Sequence, residues 1–376
     1  MRLAEFLAKK PLYYKKIDYT RMPRAYERIK DQLRLPPIVH IVGTNAKGST
    51  GRFLAGGLKE AGFKVGHYTS PHILRFNERI WIDGEEASDE ALEAAHRRLL
   101  RLLGDEMAKA LSYFEYTTFL AMLLFEGLDF AVVEAGLGGE HDATAVFGSE
   151  LTLVTPIDYD HQQFLGETIE QIANAKLAAI KKRAIVGYQS HPEVERIARK
   201  YPVKFLRHFP IDTEALKPVV AAEGLAPFFA DNLALAIAAA KELGVQIDPK
   251  KAAKWRLRGR MERLGESVLL DVGHNPLSAR AIEQVLEPGT ILVYNSYKDK
   301  PYGEILRILA PKLKEVQILP IEDERIADPA DLRRAIEAAG LKWRVFDGIA
   351  PNERYLVYGS FKVAEEFLRR GSGEVL

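Results

Sequence analysis

Seven short, mainly apolar runs recur along this chain, none longer than five residues, with longer helical patterns between them: residues 38–42, 130–134, 151–155, 184–186, 268–271, 291–294 and 355–358. Strands that read as near-continuous apolar runs are buried on both faces, and helices between them supply the crossovers of a parallel sheet. The pattern predicts an α/β fold, doubly wound. Ligands of such sheets sit beyond the carboxyl ends of the strands, and polar residues gather there: 43–49 after the first run, 134–142 after the second and 158–161 after the third. With 376 residues the chain is long enough for two cores. An Ala-rich helical stretch over 227–244 is followed by the basic, irregular Trp255-Arg256-Leu257-Arg258-Gly259-Arg260, and a new strand–helix series starts near Val268. This places a boundary near residue 257, giving domains 1–257 and 258–376.

The turn after the first run is Gly43-Thr44-Asn45-Ala46-Lys47-Gly48-Ser49-Thr50, and a helical pattern follows at once. That is the layout of a phosphate-binding loop, in which a strand delivers the turn and the helix N-terminus presents unpaired N–H groups to an anion. Lys47 would add a point charge for the β- and γ-phosphates, and Ser49 or Thr50 a hydroxyl for Mg²⁺. The lysine precedes the second glycine, unlike the common G-x-x-x-x-G-K-[ST] order. A plain strand–turn–helix with an exposed lysine is the bland alternative. Glu134, at the end of the next run, is well placed to share the Mg²⁺. Asp160-His161 could supply another ligand, although a cap or turn is the commoner use of such a pair.

Composition narrows the field. The formal charge is +1, so no global field favours nucleic acid or an acidic membrane. There are no cysteines, which excludes disulfides, thiolate zinc sites and a cysteine nucleophile. Glu5 interrupts the apolar N-terminal stretch, making it a poor signal peptide, and no run approaches the ~18 apolar residues of a membrane span. The expectation is a cytoplasmic protein acting on small molecules.

Several further motifs occur in a particular order: Ser70-Pro71-His72, Phe114-Glu115-Tyr116-Thr117-Thr118, Gly136-Leu137-Gly138-Gly139, Asp142-Ala143-Thr144, Asp160-His161, Asp271-Val272-Gly273-His274-Asn275-Pro276 and Gly359-Ser360-Phe361. Together with the loop they resemble the folylpolyglutamate synthase/dihydrofolate synthase family, the folate branch of the Mur ligase superfamily, along the whole chain. The resemblance accounts for the early lysine, which that superfamily places before the glycine. It implies a P-loop-type ATP-binding domain with a pteroate-binding N-terminal segment, and a smaller Rossmann-like glutamate-ligase domain. Gly43 to Thr50 would cradle the ATP phosphates, with Lys47 on the γ-phosphate. Ser49 and Glu134 would hold a first Mg²⁺, and Ser70 and His161 would help hold a second. Lys176 matches a lysine that the family carbamylates, against the bland reading of an exposed helix lysine. Asn232 and Arg260 match positions near adenine and phosphates, Asp271 and His274 ribose- and phosphate-facing residues. Lys16, Asp18, Arg24, Arg79, Tyr116, Asp142 and Ser360 would contact the acid or amine substrates, and a monovalent cation and a monomeric state belong to the same expectation.

The implied reaction is ATP-dependent amide formation: a pteroate or folate carboxylate is phosphorylated, and the amine of L-glutamate attacks the acyl phosphate. Peptidoglycan ligases of the superfamily carry a separate domain before the loop, and 42 residues are too few for it. The N-terminal segment, from Phe6-Leu7 to Asp18 and Arg24, resembles the dihydropteroate-binding part of bifunctional members; a plain amphipathic helix is its alternative. A monofunctional folylpolyglutamate synthase is a second reading, and a nucleotide switch that merely hydrolyses ATP a third. The sequence also departs from the family: Ala46 stands where glycine is usual, in a position of expected positive φ. Glu140 and His141 replace a common Arg-Leu, Ala145 an asparagine and Ala175 a glutamate.

Overall fold

The computed structural model describes residues 1–11 and 18–371. The chain divides into two compact units, Met1–Arg256 and Leu257–Leu376.

In the first unit eight strands form one sheet: β1 (Ile38–Val42), β2 (Val65–Tyr68), β3 (Ile80–Ile82), β4 (Glu85–Glu86), β5 (Phe130–Glu134), β6 (Leu151–Val154), β7 (Ala184–Val186) and β8 (Val203–Phe205). Their order is β4-β3-β2-β5-β1-β6-β7-β8. All neighbours from β2 to β8 run parallel, and only β3 and β4 are added antiparallel at one edge. β1 lies in the middle, all five residues buried, with Ile41 opposite Glu134 and Val42 opposite Val154. The three central strands therefore end together, and the loops that follow them share one edge of the sheet.

The helices that matter for that edge are α1 (Leu3–Ala8), α2 (Arg21–Ile29), α3 (Lys47–Glu60), α4 (Asp89–Ala110), α5 (Tyr113–Leu124), α6 (Gln162–Leu165) and α7 (Ile169–Leu177). Leu3, Phe6, Met22, Ile29, Leu99, Leu103, Phe119 and Met122 join α1, α2, α4 and α5 into one core. Ile169, Ile172 and Leu177 of α7 pack with Val154, Val186, Val194 and Ile197 in another. The helix Phe229–Glu242 packs along α3, whose residues from Gly48 to Leu58 are all buried.

Among its described residues the second unit has six strands: β9 (Glu262–Leu264), β10 (Val268–Leu270), β11 (Thr290–Tyr294), β12 (Leu313–Ile318), β13 (Trp343–Val345) and β14 (Tyr355–Tyr358). They lie in the order β13-β12-β11-β14-β10-β9, parallel except for β9. Both units are thus α/β with mostly parallel sheets. Among the described residues no helix is long and apolar enough to cross a membrane.

Each of the seven apolar runs is a strand. Among the described residues seven further strands, β2, β3, β4, β8, β9, β12 and β13, are not among those runs. β2 carries Gly66 and His67, and β12 mixes Lys314, Glu315 and Gln317 with its apolar residues.

Candidate active site

The loop between β1 and α3 is braced from below. Gly43 has φ 150°, and a Cβ there would lie 2.0 Å from Thr155 Oγ1, so only glycine fits. The Thr44 and Asn45 N–H groups both donate to the Pro156 carbonyl, at 2.8 and 3.3 Å. Thr44 Oγ1 donates to the Asp158 carbonyl at 2.9 Å and accepts from the Asp158 N–H at 3.0 Å. Ala46 adopts the expected positive φ, 67°, and offers no side-chain cap to α3. The first-turn amides of a helix have no partner within it, so here they are left for an outside acceptor.

Three charged side chains meet at this loop. Lys47 Nζ donates to the carbonyls of Thr44 at 3.2 Å and Gly43 at 3.3 Å, and lies 3.8 Å from Glu134 Oε1. The other oxygen of the buried Glu134 accepts from the Thr69 hydroxyl. Lys176 is 4% exposed, and its Nζ donates to the Gly43 carbonyl at 2.8 Å. Burial, and then the nearby Lys47 charge, push its ammonium down to about 7, against the attraction of Asp160 and Asp142. It is therefore not an exposed helix lysine. α7 starts with a Thr168/Gln171 capping box, and its last turn lies so close to Gly139 that a Cβ there would come within 2.3 Å of the Lys176 carbonyl.

The loop after β5 is held by Asp142, which accepts from the N–H groups of Leu137 at 2.7 Å and Thr144 at 2.9 Å, and from the Thr144 hydroxyl. With the hydroxyl proton committed, His40 Nε2 donates to Thr144 Oγ1 at 2.7 Å. His40 is thus neutral, its imidazole lowered to about 4 by burial, while the same cause raises the Asp142 carboxyl.

The remaining predicted residues are spread more widely. Ser49 lies in the first turn of α3, whereas the Thr50 hydroxyl is wholly buried without a protein partner. Ser70 follows β2 at the same sheet edge and forms a cis peptide with Pro71. His161 begins α6 at φ 52°, with its Nε2 3.8 Å from Asp160 Oδ2. Arg79 is buried, donates to His72 Nδ1 at 2.7 Å and covers the Tyr113 ring. Tyr116 is wholly buried in the core, its hydroxyl 2.7 Å from His96 Nδ1, and is not brought to the loop. Asn232 is buried on the helix along α3. Asp18 accepts from Thr20 at an exposed turn, and Arg24 is exposed on α2. Lys16 lies outside the described residues.

In the second unit Asp271 is buried after β10 and accepts from the N–H groups of Gly273 at 2.7 Å and Met261 at 3.0 Å. Burial raises its carboxyl against the pull of Arg260. His274 Nδ1 is 3.1 Å from the Val272 carbonyl, and Asn275 caps the helix Pro276–Glu283. Ser360 Oγ accepts from the Val363 N–H at 3.2 Å, and Arg260 lies over the Phe361 ring.

The sequence reading passed over Thr69, Thr155 and Gln189. Gln189 accepts from the Ile157 N–H at 2.9 Å and donates to the Thr155 carbonyl at 3.2 Å, buttressing the segment that braces Thr44. Thr155 and Gln189 close or trail apolar runs, whereas Thr69 follows β2, which carries no such run.

Mg²⁺ takes few protein oxygens and keeps several waters and phosphate oxygens. The Glu134 carboxylate at the end of β5 and the Ser49 hydroxyl in the first turn of α3 are oxygen donors of the kind such an ion takes. Among the described residues no cluster of three His, Cys, Asp or Glu is present that would suit a metal caged by protein alone.

No protein-family model matches the chain. It is 31% identical over 343 residues to the dihydrofolate synthase/folylpolyglutamate synthase of Escherichia coli K12, covering 84% of this chain and 79% of that one. Among solved structures it is similar to the Helicobacter pylori folylpolyglutamate synthetase, at 36% identity and TM-score 0.79, over 99% of this chain and 98% of that one. It is also similar to E. coli FolC in complex with DHPP and ADP, at 26% identity and TM-score 0.83 over the same shares. A bifunctional folylpolyglutamate synthase/dihydrofolate synthase with Mn, AMPPNP and L-glutamate bound superposes at TM-score 0.81 and 25% identity, over 98% of each chain. With relatives this similar over most of both sequences, and a loop, carboxylate and buried lysine arranged as described, the chain belongs to the dihydrofolate synthase/folylpolyglutamate synthase family.

Proposed function

We propose that this chain is an ATP-dependent ligase that joins the amine of L-glutamate to the carboxylate of dihydropteroate and of reduced folates. The observation that carries the reading is the convergence of Lys47 and Lys176 on the Gly43 carbonyl, with Glu134 beside Lys47. Similarity to enzymes solved with ADP, a nucleotide analogue, DHPP and L-glutamate supports the same substrates.

In this reading the α3 amides and Lys47 hold the ATP phosphates and stabilise charge as the γ-phosphoryl passes to the carboxylate. The amine of glutamate then attacks the acyl phosphate, forming the C–N bond as phosphate leaves, and positioning supplies much of the rate. Bound Mg²⁺ would neutralise phosphate charge; Ser49 and Glu134 would hold one ion, with Ser70 and His161 contributing to a second. Lys176 is suited to carbamylation because its ammonium, lowered to about 7, is substantially neutral at physiological pH. The neutral amine adds CO₂ and releases a proton, converting a buried cation into an anionic oxygen ligand. Roles for Asn232, Arg260, Asp271 and His274 at the nucleotide rest on the family resemblance, as do those of Arg79 and Ser360 at the substrates and the use of a monovalent cation.

The second reading, a folylpolyglutamate synthase without dihydropteroate use, is favoured by the 36% identity to the H. pylori folylpolyglutamate synthetase. One assay separates the readings: phosphate release and product analysis with dihydropteroate or tetrahydrofolate, each with and without L-glutamate. Glutamate-dependent product from both acceptors supports the bifunctional reading. Product from tetrahydrofolate alone supports the second, and phosphate release indifferent to both substrates overturns the ligase.

A further inference from the structure

Glu134 and Lys47 face each other, largely buried, without bonding. Glu134 Oε1 lies 3.8 Å from Lys47 Nζ, beyond the ~2.7–3.2 Å of an N–H···O bond. Opposite charges with so little water around them attract strongly and tend to close to contact. Each partner is held back here by a bond of its own. On the lysine side the carbonyls of Thr44 and Gly43 accept from the ammonium at 3.2 and 3.3 Å. On the acid side the Thr69 hydroxyl donates to Oε2.

Thr69 is a donor whose position does not depend on Glu134. β2 pairs with β3 on one side and β5 on the other, with Tyr68 level with Ile80 and with Val133. Thr69 comes next, so the register brings it beside Glu134. Its own N–H donates to the Arg79 carbonyl at 2.9 Å. The loop beyond is gathered by Glu78, which accepts from the N–H groups of Ile73, Leu74 and Arg75 at 2.7, 2.8 and 2.8 Å. Thr69 is buried, and a β-branched side chain has few χ1 choices. The hydroxyl is thus a fixed point, and the longer glutamate side chain turns to meet it. The backbone after Glu134 is fixed as well, because the Ala135 N–H donates to the Ile41 carbonyl at 2.9 Å. What Thr69 decides is the rotation of the carboxylate: Oε2 is taken, and Oε1 is left on the Lys47 side.

We propose that Thr69 is a positioning residue that holds Glu134 apart from Lys47, so that carboxylate and ammonium stay separately available to a divalent ion and to phosphates. This rests on the reading that the chain binds a metal–nucleotide at this loop. A metal-ligating carboxylate is oriented by the hydrogen bond that its other oxygen accepts. Without the Thr69 hydroxyl the group turns toward the ammonium, and the closed pair has to open before the ion and the phosphates are taken up.

The test is calorimetric titration of the full chain with a non-hydrolysable ATP analogue in excess Mn²⁺, for wild type, Thr69→Val, Thr69→Ser and Thr69→Cys. Thr69→Val keeps the shape and removes the donor; it is expected to weaken binding about tenfold, the low end of what losing an outer partner of a metal ligand costs. Thr69→Ser keeps the hydroxyl and should stay within threefold of wild type. Thr69→Cys carries only a weak donor and should lose at least threefold even where Thr69→Val fails to fold. In a Glu134→Gln background no negative charge remains to close on the lysine, so adding Thr69→Val should change the affinity less than twofold. In steady-state ligation KM for ATP should rise in the same ranking, with KM for the acceptor within twofold of wild type. Unchanged affinity in Thr69→Val and Thr69→Cys, no rescue by Thr69→Ser, or a loss that persists in the Glu134→Gln background overturns the role of Thr69. In each of these cases wild type still binds the analogue, whereas wild type that does not bind it removes the underlying nucleotide reading and the role of Thr69 with it.

Discussion

The ammonium groups of Lys47 and Lys176 share one acceptor, the carbonyl of Gly43, at 3.3 and 2.8 Å. Two cations held this close in a buried site cannot both be comfortable, and the structure resolves the conflict on Lys176, whose ammonium is lowered to about 7 from 10.5 by burial first and by Lys47 second. A lowered folded pKa means that Lys176 costs the fold nothing above 10.5. The cost grows as pH falls toward 7 and is complete below it. Lys176→Met should therefore stabilise the ligand-free protein more at pH 6 than at pH 9, as read by urea midpoints. For the enzyme, activity should fall below about pH 7 and be partly restored by added bicarbonate if the neutral amine is carbamylated. Bicarbonate without effect, together with no added carboxylate on Nζ in crystals grown with it, would return Lys176 to a purely structural role.

Lys47→Met removes the charge that the proposed function assigns to the phosphates while keeping most of the aliphatic stem. Ligation should drop at least about 100-fold, the scale of losing one preorganised charge-stabilising donor, with an unchanged circular dichroism spectrum. Because Lys47 is one of the charges that lowers Lys176, the acid limb of any residual activity should also move to higher pH. Activity near wild type would remove Lys47 from phosphate handling.

Ala46 holds φ 67°, a conformation that costs an L residue about 1–2 kcal/mol and glycine almost nothing. Against the extra freedom of glycine in the unfolded chain, Ala46→Gly should still stabilise the protein by about 0.5–1 kcal/mol in chemical denaturation. A destabilised variant would show that the alanine methyl makes contacts that outweigh the strain.

Three histidines of the first unit, His40, His67 and His96, are held below the usual imidazole range, chiefly by burial; His40 falls to about 4 and His67 well below normal. Each is neutral in the fold and takes a proton on unfolding, so stability is intact above about pH 6.5 and is lost as pH falls toward 4. His40 alone accounts for about 3 kcal/mol of that loss, at roughly 1.4 kcal/mol per pKa unit. Denaturation midpoints at pH 7, 5.5 and 4.5 check this directly; a flat profile would contradict it.

The parallel core was legible because its strands are buried on both faces and so carry mainly apolar runs. β2 was not, since Gly66 and His67 dilute the pattern although all four of its residues are buried. The strand–loop–helix from β1 into α3 was legible from local order alone. Lys176 was not: its local sequence reads as an exposed helix lysine, and only the approach of Gly139 and Gly43 from distant segments buries it. Thr69 is harder still, because its meaning lies in a carboxylate 65 residues away. The segment from Tyr116 to Thr118 misleads in the opposite direction. Its polar side chains look suited to a ligand, yet all three residues are completely buried and bond within the unit.

The mutual bonds between Thr44 and Asp158 tie the loop Gly43–Ala46 to the exit of the neighbouring strand, on the innermost part of an eight-stranded sheet. A loop rooted there has no low-energy way to open by itself, so the Thr44 and Asn45 amide protons, both bonded to the Pro156 carbonyl, should exchange with solvent only through unfolding of the entire unit. Local order and global integrity then form a single cooperative element. Nucleotide affinity should accordingly appear in full as a shift of the unfolding midpoint, set by ligand concentration over Kd, with no separate ordering transition in the loop.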